Sequence, residues 1–181
     1  MNLEKICIGN LSIKKAAALA PMASVADRAY RQMAASFGAC LTTSEMVSAK
    51  GLCLSNRKTQ QLLTITEKER PMGIQLFGND PYYMAKAVEK TLPYSPDFID
   101  INMGCPVPKV YQAGSGAALL NTPEIAEELV KETVKASDVP VTVKIRKSPL
   151  GDGATVNFAK RMESAGASAL TIHGRTRAQM Y

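Results

Sequence analysis

Six short runs of apolar and β-branched residues recur along the chain, each followed by a segment with helical spacing. They are AALAPMA (17–23), ACLTTSEM (39–46), MGIQLFG (72–78), FIDINMG (98–104), VTVKIR (141–146) and ALTIHGR (169–175). Their near-continuous apolar character predicts parallel strands covered on both faces.

The segments between them carry helix signals. Asp27 is placed to cap a helix in which Tyr30, Met33, Ala34 and Phe37 fall at i, i+3, i+4 and i+7, and Gly38 closes it where a left-handed residue is wanted. Asp80 before Pro81 opens a second. Thr122, Pro123 and Glu124 open a third, with a hydroxyl cap, proline at the first helical position and a carboxylate at the positive end of the dipole. Ile125, Leu129 and Val130 give it an apolar stripe. A fourth is predicted from Thr155 to about Ala165, with Gly166 as its stop.

Units of this kind in series, without linker or low-complexity stretch, predict a parallel α/β fold. An open doubly wound sheet and a barrel both answer that description. No GxGxxG follows the first strand and no GxxxxGK[ST] occurs anywhere. Met22, Glu45, Gln75, Asn102 with Cys105, Lys144 and His173 instead fall at or just past the carboxyl ends of different predicted strands. A (β/α)8 TIM-type barrel builds its active site there, whereas an open sheet gathers its ligand contacts near one switch point. A closed barrel needs eight strands and about 250 residues, and this chain has 181. The expectation is therefore about six β/α units, the amino-terminal portion of a single TIM-barrel domain, with the last two units absent and two strand edges unpaired.

Composition narrows the class. With 46% hydrophobic and 21% charged residues, the chain matches a soluble globular domain and neither a disordered nor a collagen-like one. The longest apolar runs fall short of the roughly 20 residues that span a bilayer, and the amino terminus shows no secretory pattern. No membrane association and a cytoplasmic location are expected. The cysteines at 7, 40, 53 and 105 follow no zinc or redox spacing, so no metal is expected. Cys7 and Cys40 read as small buried hydrophobes and Cys53 as loop packing. A formal charge of +6 favours a polyanionic partner only mildly, and a solvated basic surface explains it equally.

Several residues carry candidate chemistry. A lone cysteine after a strand is commonly packing, but the glycine- and proline-shaped turn NMGCP is built to hold Cys105 over the strand ends. The one histidine, His173, lies on another strand, so the sequence shows no Cys/His nucleophile pair; a neutral thiol can still act as a proton donor. Lys144 interrupts an apolar strand, either reaching along it to solvent or setting a cation in the barrel mouth beside an anion such as a reduced flavin. His173 is either a satisfied core histidine or a strand-end contact. Gln75 and Asn102 each offer donor and acceptor to a heterocycle edge. AGSGAALL (113–120) is a weak phosphate-cradle signal and a stronger one for a close-packed turn. RKTQQ (57–61) and GRTR (174–177) add cations that solvated loops explain as simply.

Together LAPMASVADRAYR, TTSEMVSAKG, IQLFG, DINMGCPVPKV, GSGAALL, VPVTVKIR and ALTIHGRTRAQMY resemble the tRNA-dihydrouridine synthases, most nearly their bacterial B-type branch, in order and over nearly the whole chain. The resemblance implies a flavoenzyme on a (β/α)8 barrel followed by a small helical domain that grips tRNA. Such enzymes use FMN, reduced by NADPH, to saturate the C5=C6 bond of particular uridines. On this sequence it implies that Pro21, Met22 and Ala23 line the flavin, Gln75 and Lys144 bind its ring, His173 contacts it and Cys105 is the general acid. The target base must leave its stack to reach the flavin. Asn102 is then the candidate for the uracil edge, and Lys109, Arg175 and Arg177 for the RNA backbone. The full-length protein is expected to be a monomer. Two departures stand out: Ser24 occupies a position where members commonly have glycine, and SPLGDG (148–153) one where many have a glycine and an aromatic residue. The loops that cradle the FMN phosphate in the family, after the seventh and eighth strands, are expected to lie outside these residues. Two other functions compete: an FMN oxidoreductase acting on a free pyrimidine, like a dihydroorotate dehydrogenase, and a non-catalytic truncated barrel that binds RNA.

Overall fold

The computed structural model describes residues 4–54 and 62–180. A short antiparallel hairpin, β1 (Lys5–Ile8) and β2 (Leu11–Lys14), precedes one parallel sheet. That sheet comprises β3 (Thr42–Thr43), β4 (Val47–Ser48), β5 (Met72–Phe77), β6 (Phe98–Met103), β7 (Val141–Arg146) and β8 (Ala169–His173). Its order is β3-β5-β6-β7-β8, with β4 also paired to β5. Sequential strands are spatial neighbours, and the sheet curls into half a barrel with helices between its strands.

The helices are α1 (Arg28–Ser36), α2 (Ala49–Cys53), α3 (Pro81–Thr91), α4 (Pro108–Gln112), α5 (Pro123–Ala136) and α6 (Asp152–Ser164). Asp27 caps α1 by accepting the Tyr30 N–H at 2.8 Å, and Asp80 caps α3 by accepting those of Tyr82 and Tyr83 at 2.9 and 3.4 Å. Gly38 and Gly166 close α1 and α6 in the left-handed conformation, at φ +94° and +108°.

Strand alternation sorts the residues of the sheet. Ile74 and Leu76 of β5, Ile99, Ile101 and Met103 of β6 and Val141, Val143 and Ile145 of β7 join the apolar core with Met84 and Val88 of α3 and Leu129 and Val130 of α5. The alternate positions form the other face. Gln75 is in register with Asp100, Asp100 with Thr142, Asn102 with Lys144, and Arg146 with His173.

Several sequence expectations need correction. Residues 17–23 form no strand: two backbone hydrogen bonds, Leu19 N–H to Leu41 O and Cys40 N–H to Ala17 O, tie the segment to its neighbour, and Pro21 has no N–H to continue a ladder. The run 39–46 breaks between β3 and β4. There the Ser44 hydroxyl accepts the Gln75 N–H at 2.9 Å, taking the place of a strand carbonyl. The stripe predicted for α1 faces outward: Met33 is 50% and Phe37 86% exposed, while Arg31 is buried against Glu69 at 2.6 Å. The Thr122 hydroxyl makes no capping bond to α5, and Ile125 is exposed, its place in the core being taken by Ala126. Helix α6 starts at Asp152 rather than Thr155, with the Asp152 carboxylate 2.8 Å from Lys147 Nζ. Cys7 is exposed on the hairpin, and Cys53 ends α2 instead of lying in a loop. RKTQQ falls outside the described residues.

Candidate functional site

A cleft of about 440 Å³ opens at the carboxyl ends of the strands. Pro21, Met22, Ala23, Gln75, Asn102, Cys105, Lys144 and His173 all line it, together with the apolar side chains of Val25, Met46 and Val107. Volume alone does not single it out, since a hollow of about 460 Å³ beside Asp27, Arg31 and Glu45 is as large. The second hollow lacks the thiol, the lysine and the paired amides.

The alternate face of the sheet supplies the polar groups. Gln75 Nε2 donates to Asp100 Oδ2 at 2.6 Å, and Gln75 Oε1 accepts from Asn102 Nδ2 at 2.9 Å. The Thr142 hydroxyl donates to Asp100 Oδ1 at 2.6 Å. Gln75 thus keeps one N–H and one lone pair for a ligand, whereas Asn102 Oδ1 accepts two backbone N–H groups and its Nδ2 also reaches Met46 Sδ at 3.8 Å, a weak acceptor that a ligand oxygen could replace. Burial pushes the Asp100 carboxyl up to about 6, against the hydrogen bonds from Thr142 and Gln75 and the charge of Lys144. Burial likewise pulls Lys144 below the usual lysine range; Asp100 opposes that shift and Arg146 adds to it. For both groups desolvation outweighs their mutual attraction, which leaves Lys144 a half-buried cation suited to meet negative charge in the cleft.

Cys105 is 8% exposed, on the turn after β6. The Gly104 and Cys105 N–H groups both donate to Asn102 Oδ1, at 3.2 and 2.9 Å. Arg146 Nε donates to Gly104 O at 2.8 Å, and Ala117 N–H to Cys105 O at 3.0 Å. The other end of the Arg146 guanidinium donates to Thr176 O and Met180 O at 3.3 and 3.1 Å, tying the loop after β8 to the thiol loop. His173 Nδ1 accepts the Arg175 N–H at 3.2 Å, so the neutral ring carries its proton on Nε2. Burial, then repulsion from Arg146 and Lys144, hold His173 below the usual histidine range.

Lys109 and Arg175 are exposed and do not line the cleft, each standing two residues beyond a residue that does, Val107 and His173. The Arg177 guanidinium lies over the Tyr111 ring, 3.8 Å from its centroid, and its Nε is sealed from solvent. Glu45 sits between β3 and β4 and accepts the N–H of Ser24, which stands at φ +62°. That left-handed backbone favours glycine, the residue the resemblance leads one to expect there. The segment AGSGAALL is the close-packed turn: Gly114 and Gly116 have φ +74° and +62°. Among the described residues no His, Cys, Asp and Glu group as metal ligands, and no helix is long and apolar enough to cross a membrane.

Sequence reasoning missed Asp100, Thr142 and Arg146. Asp100 and Asn102 are two residues apart on a strand and so share a face, a signal present in DIN. Arg146 stands two residues beyond Lys144 on the same logic.

Solved structures share the architecture. The carboxyl transferase domain of Rhizobium etli pyruvate carboxylase aligns over 78% of this chain and 22% of its own at TM-score 0.53 and 15% identity. Mandelate oxidase aligns over 92% of this chain and 50% of its own at TM-score 0.53 and 17% identity. Sequence relatives are nearer. tRNA-dihydrouridine synthase B of Pseudomonas aeruginosa is 39% identical over 99% of this chain and 54% of its own length. A probable tRNA-dihydrouridine synthase 1 of Synechocystis is 41% identical over 96% and 49%. The chain thus spans about half the length of the curated relatives it matches. The family profile of the dihydrouridine synthases (Dus) matches residues 18–181, and the chain belongs to that family.

Proposed function

We propose that this chain carries the thiol-bearing, ring-binding portion of an FMN-dependent enzyme that reduces the C5=C6 bond of specific tRNA uridines to dihydrouridine, in the cytoplasm. The observation that carries the proposal is the convergence of Cys105, Lys144, Gln75, Asn102 and His173 on one cleft. The residues fit a flavin: Met22, Val25 and Met46 offer apolar contact to a flat ring, and a half-buried ammonium and two amides offer polar contact at its edge. Pro21 and Ala23 would complete that apolar wall, and His173 would donate from Nε2. Bound FMN, reduced by NADPH, would supply the hydride for uracil C6.

The chain's own groups account for the rest. Lys144 would hold negative charge on the ring, in a site where partial burial strengthens the attraction. Asn102 would hold the edge of a base drawn out of the RNA stack. Cys105 Sγ would give its proton to C5, and the resulting thiolate would recover one from solvent. The exposed Lys109 and Arg175, with the Arg177 guanidinium stacked on Tyr111, would meet RNA phosphates.

Visible absorbance of the chain titrated with FMN tests the first half: saturation near one flavin per chain is expected, and no binding by this chain or by a full-length relative overturns it. Single turnover on unmodified tRNA tests the second. In a full-length enzyme carrying this sequence, Cys105→Ala should slow uridine reduction by about 10²–10⁴-fold while flavin reduction by NADPH stays unchanged. Undiminished uridine reduction would remove Cys105 from the acid role.

A further inference from the structure

The hydrogen bonds between Asp100 and the Cys105 loop admit one direction. Two backbone N–H groups, of Gly104 and Cys105, point at the same atom of Asn102, which must therefore be its oxygen. The Asn102 amide nitrogen is then turned toward Gln75, and a donor there requires Gln75 Oε1. That leaves Gln75 Nε2 facing Asp100 at 2.6 Å, where an acceptor is needed. A carboxylate is an acceptor at both oxygens, and its second oxygen takes the Thr142 hydroxyl. Reversing either amide would set donor against donor in a site where Gln75 is 1% and Asp100 5% exposed.

We propose that Asp100 is a positioning residue: acting through Gln75 and Asn102, it fixes both amide orientations and thereby the placement of the Cys105 thiol over the cleft. The catalytic meaning of that placement rests on the function proposed above; the relay itself does not. Of the four backbone polar groups of Gly104 and Cys105, the two carbonyls are held by Arg146 and Ala117 and the two N–H groups depend on Asn102. Gln75 and Asn102 belong to neighbouring strands, and Asp100 stands directly in register with Gln75, so the acceptor is delivered by the sheet itself.

The rival role for Asp100 is to act as a counter-charge to Lys144, and two substitutions separate the two. Asp100→Asn removes the charge but keeps an acceptor for Gln75, because its own amide nitrogen can donate to the Thr142 hydroxyl, which accepts as readily as it donates. Asp100→Leu, of similar size, removes both. The readouts are the rate at which iodoacetamide alkylates Cys105, resolved by peptide mass spectrometry, and the NMR exchange protection of the Gln75 and Asn102 side-chain amides.

In Asp100→Leu the alkylation rate should rise about ten-fold and the amide protection should disappear, as expected for a buried donor left unpaired. Asp100→Asn should stay within about two-fold of the parent. Thr142→Val, which removes the second hold on the carboxylate, should fall between them. If Asp100→Leu does not fold, the order of the other two decides: Asp100→Asn faster than Thr142→Val overturns the relay. Equal acceleration in the Asn and Leu variants, or none in Leu, overturns it as well. Neither readout needs flavin or RNA, so failure of the relay and failure of the proposed function are seen separately.

Discussion

Along β6, Phe98 to Ile101 are buried, and the adjoining α3 and α5 bury Met84, Ala87, Val88, Ala126, Leu129 and Val130 completely. At the end of the sheet β8 leaves Thr171 and Ile172 exposed, and α1 turns Met33 and Phe37 outward. The cleft draws on both regions. Its thiol loop, amides and lysine stand on the close-packed middle strands, where side chains have few alternative positions. Pro21, Met22 and Ala23 come from a flanking segment tied by a few backbone bonds, and His173 from the end strand β8. The thiol, amides and lysine of the cleft thus sit where the packing is tightest, and its apolar wall sits where it is looser.

Equivalent truncations sharpen that contrast. Ile101→Ala, at a position with 0% exposure, should lower unfolding free energy by about 2–5 kcal/mol in urea denaturation. Ile172→Ala, at 50% exposure, should lower it by less than about 1 kcal/mol. Similar losses at the two sites would erase the distinction.

Asp100 probes the middle of the sheet electrostatically. A carboxyl with a folded pKa of about 6 binds its proton more tightly in the folded chain than in the unfolded one, where it titrates near 3.8. The folded state is therefore favoured most below the lower value and loses stability as pH rises through the higher one. Between pH 4 and pH 7, Asp100→Asn should gain about 2 kcal/mol relative to the parent, read as diverging thermal midpoints. Parallel pH curves would show that the carboxyl is not desolvated.

The smallest effect belongs to the flank. Ser24→Gly should stabilise the chain by about 1 kcal/mol, by relieving a side chain held at positive φ. A loss of stability there would mean that the Ser24 side chain makes a contact worth more than the backbone strain.

The legible parts of the sequence were those governed by local chemistry. Asp27 and Asp80 cap helices as their neighbours require, Gly38 and Gly166 stop them, and NMGCP turns where it should. Gln75, Asn102, Cys105, Lys144 and His173 could be placed at one end of the sheet because strand ends can be read from apolar runs. Asp100 escaped notice because its partners are set by inter-strand register, which brings together residues 25 and 42 positions apart. The strand expected at 17–23 failed for the same reason: apolar residues were present, but hydrogen-bond partners along both sides were not. The α1 stripe was misplaced because periodicity shows that a helix has an apolar face and not what that face will meet.

Gly116, at φ +62°, lies so close behind the thiol loop that a β-carbon there would come within 2.8 Å of the Cys105 carbonyl oxygen and 3.0 Å of its Cβ. The turn from Gly116 to Asn121 is therefore a backstop with no clearance. Movement of the Cys105 loop away from the cleft is blocked there by main chain rather than by a pliable side group. In the function proposed above, that backing would keep the sulfur at a fixed distance from the base it serves.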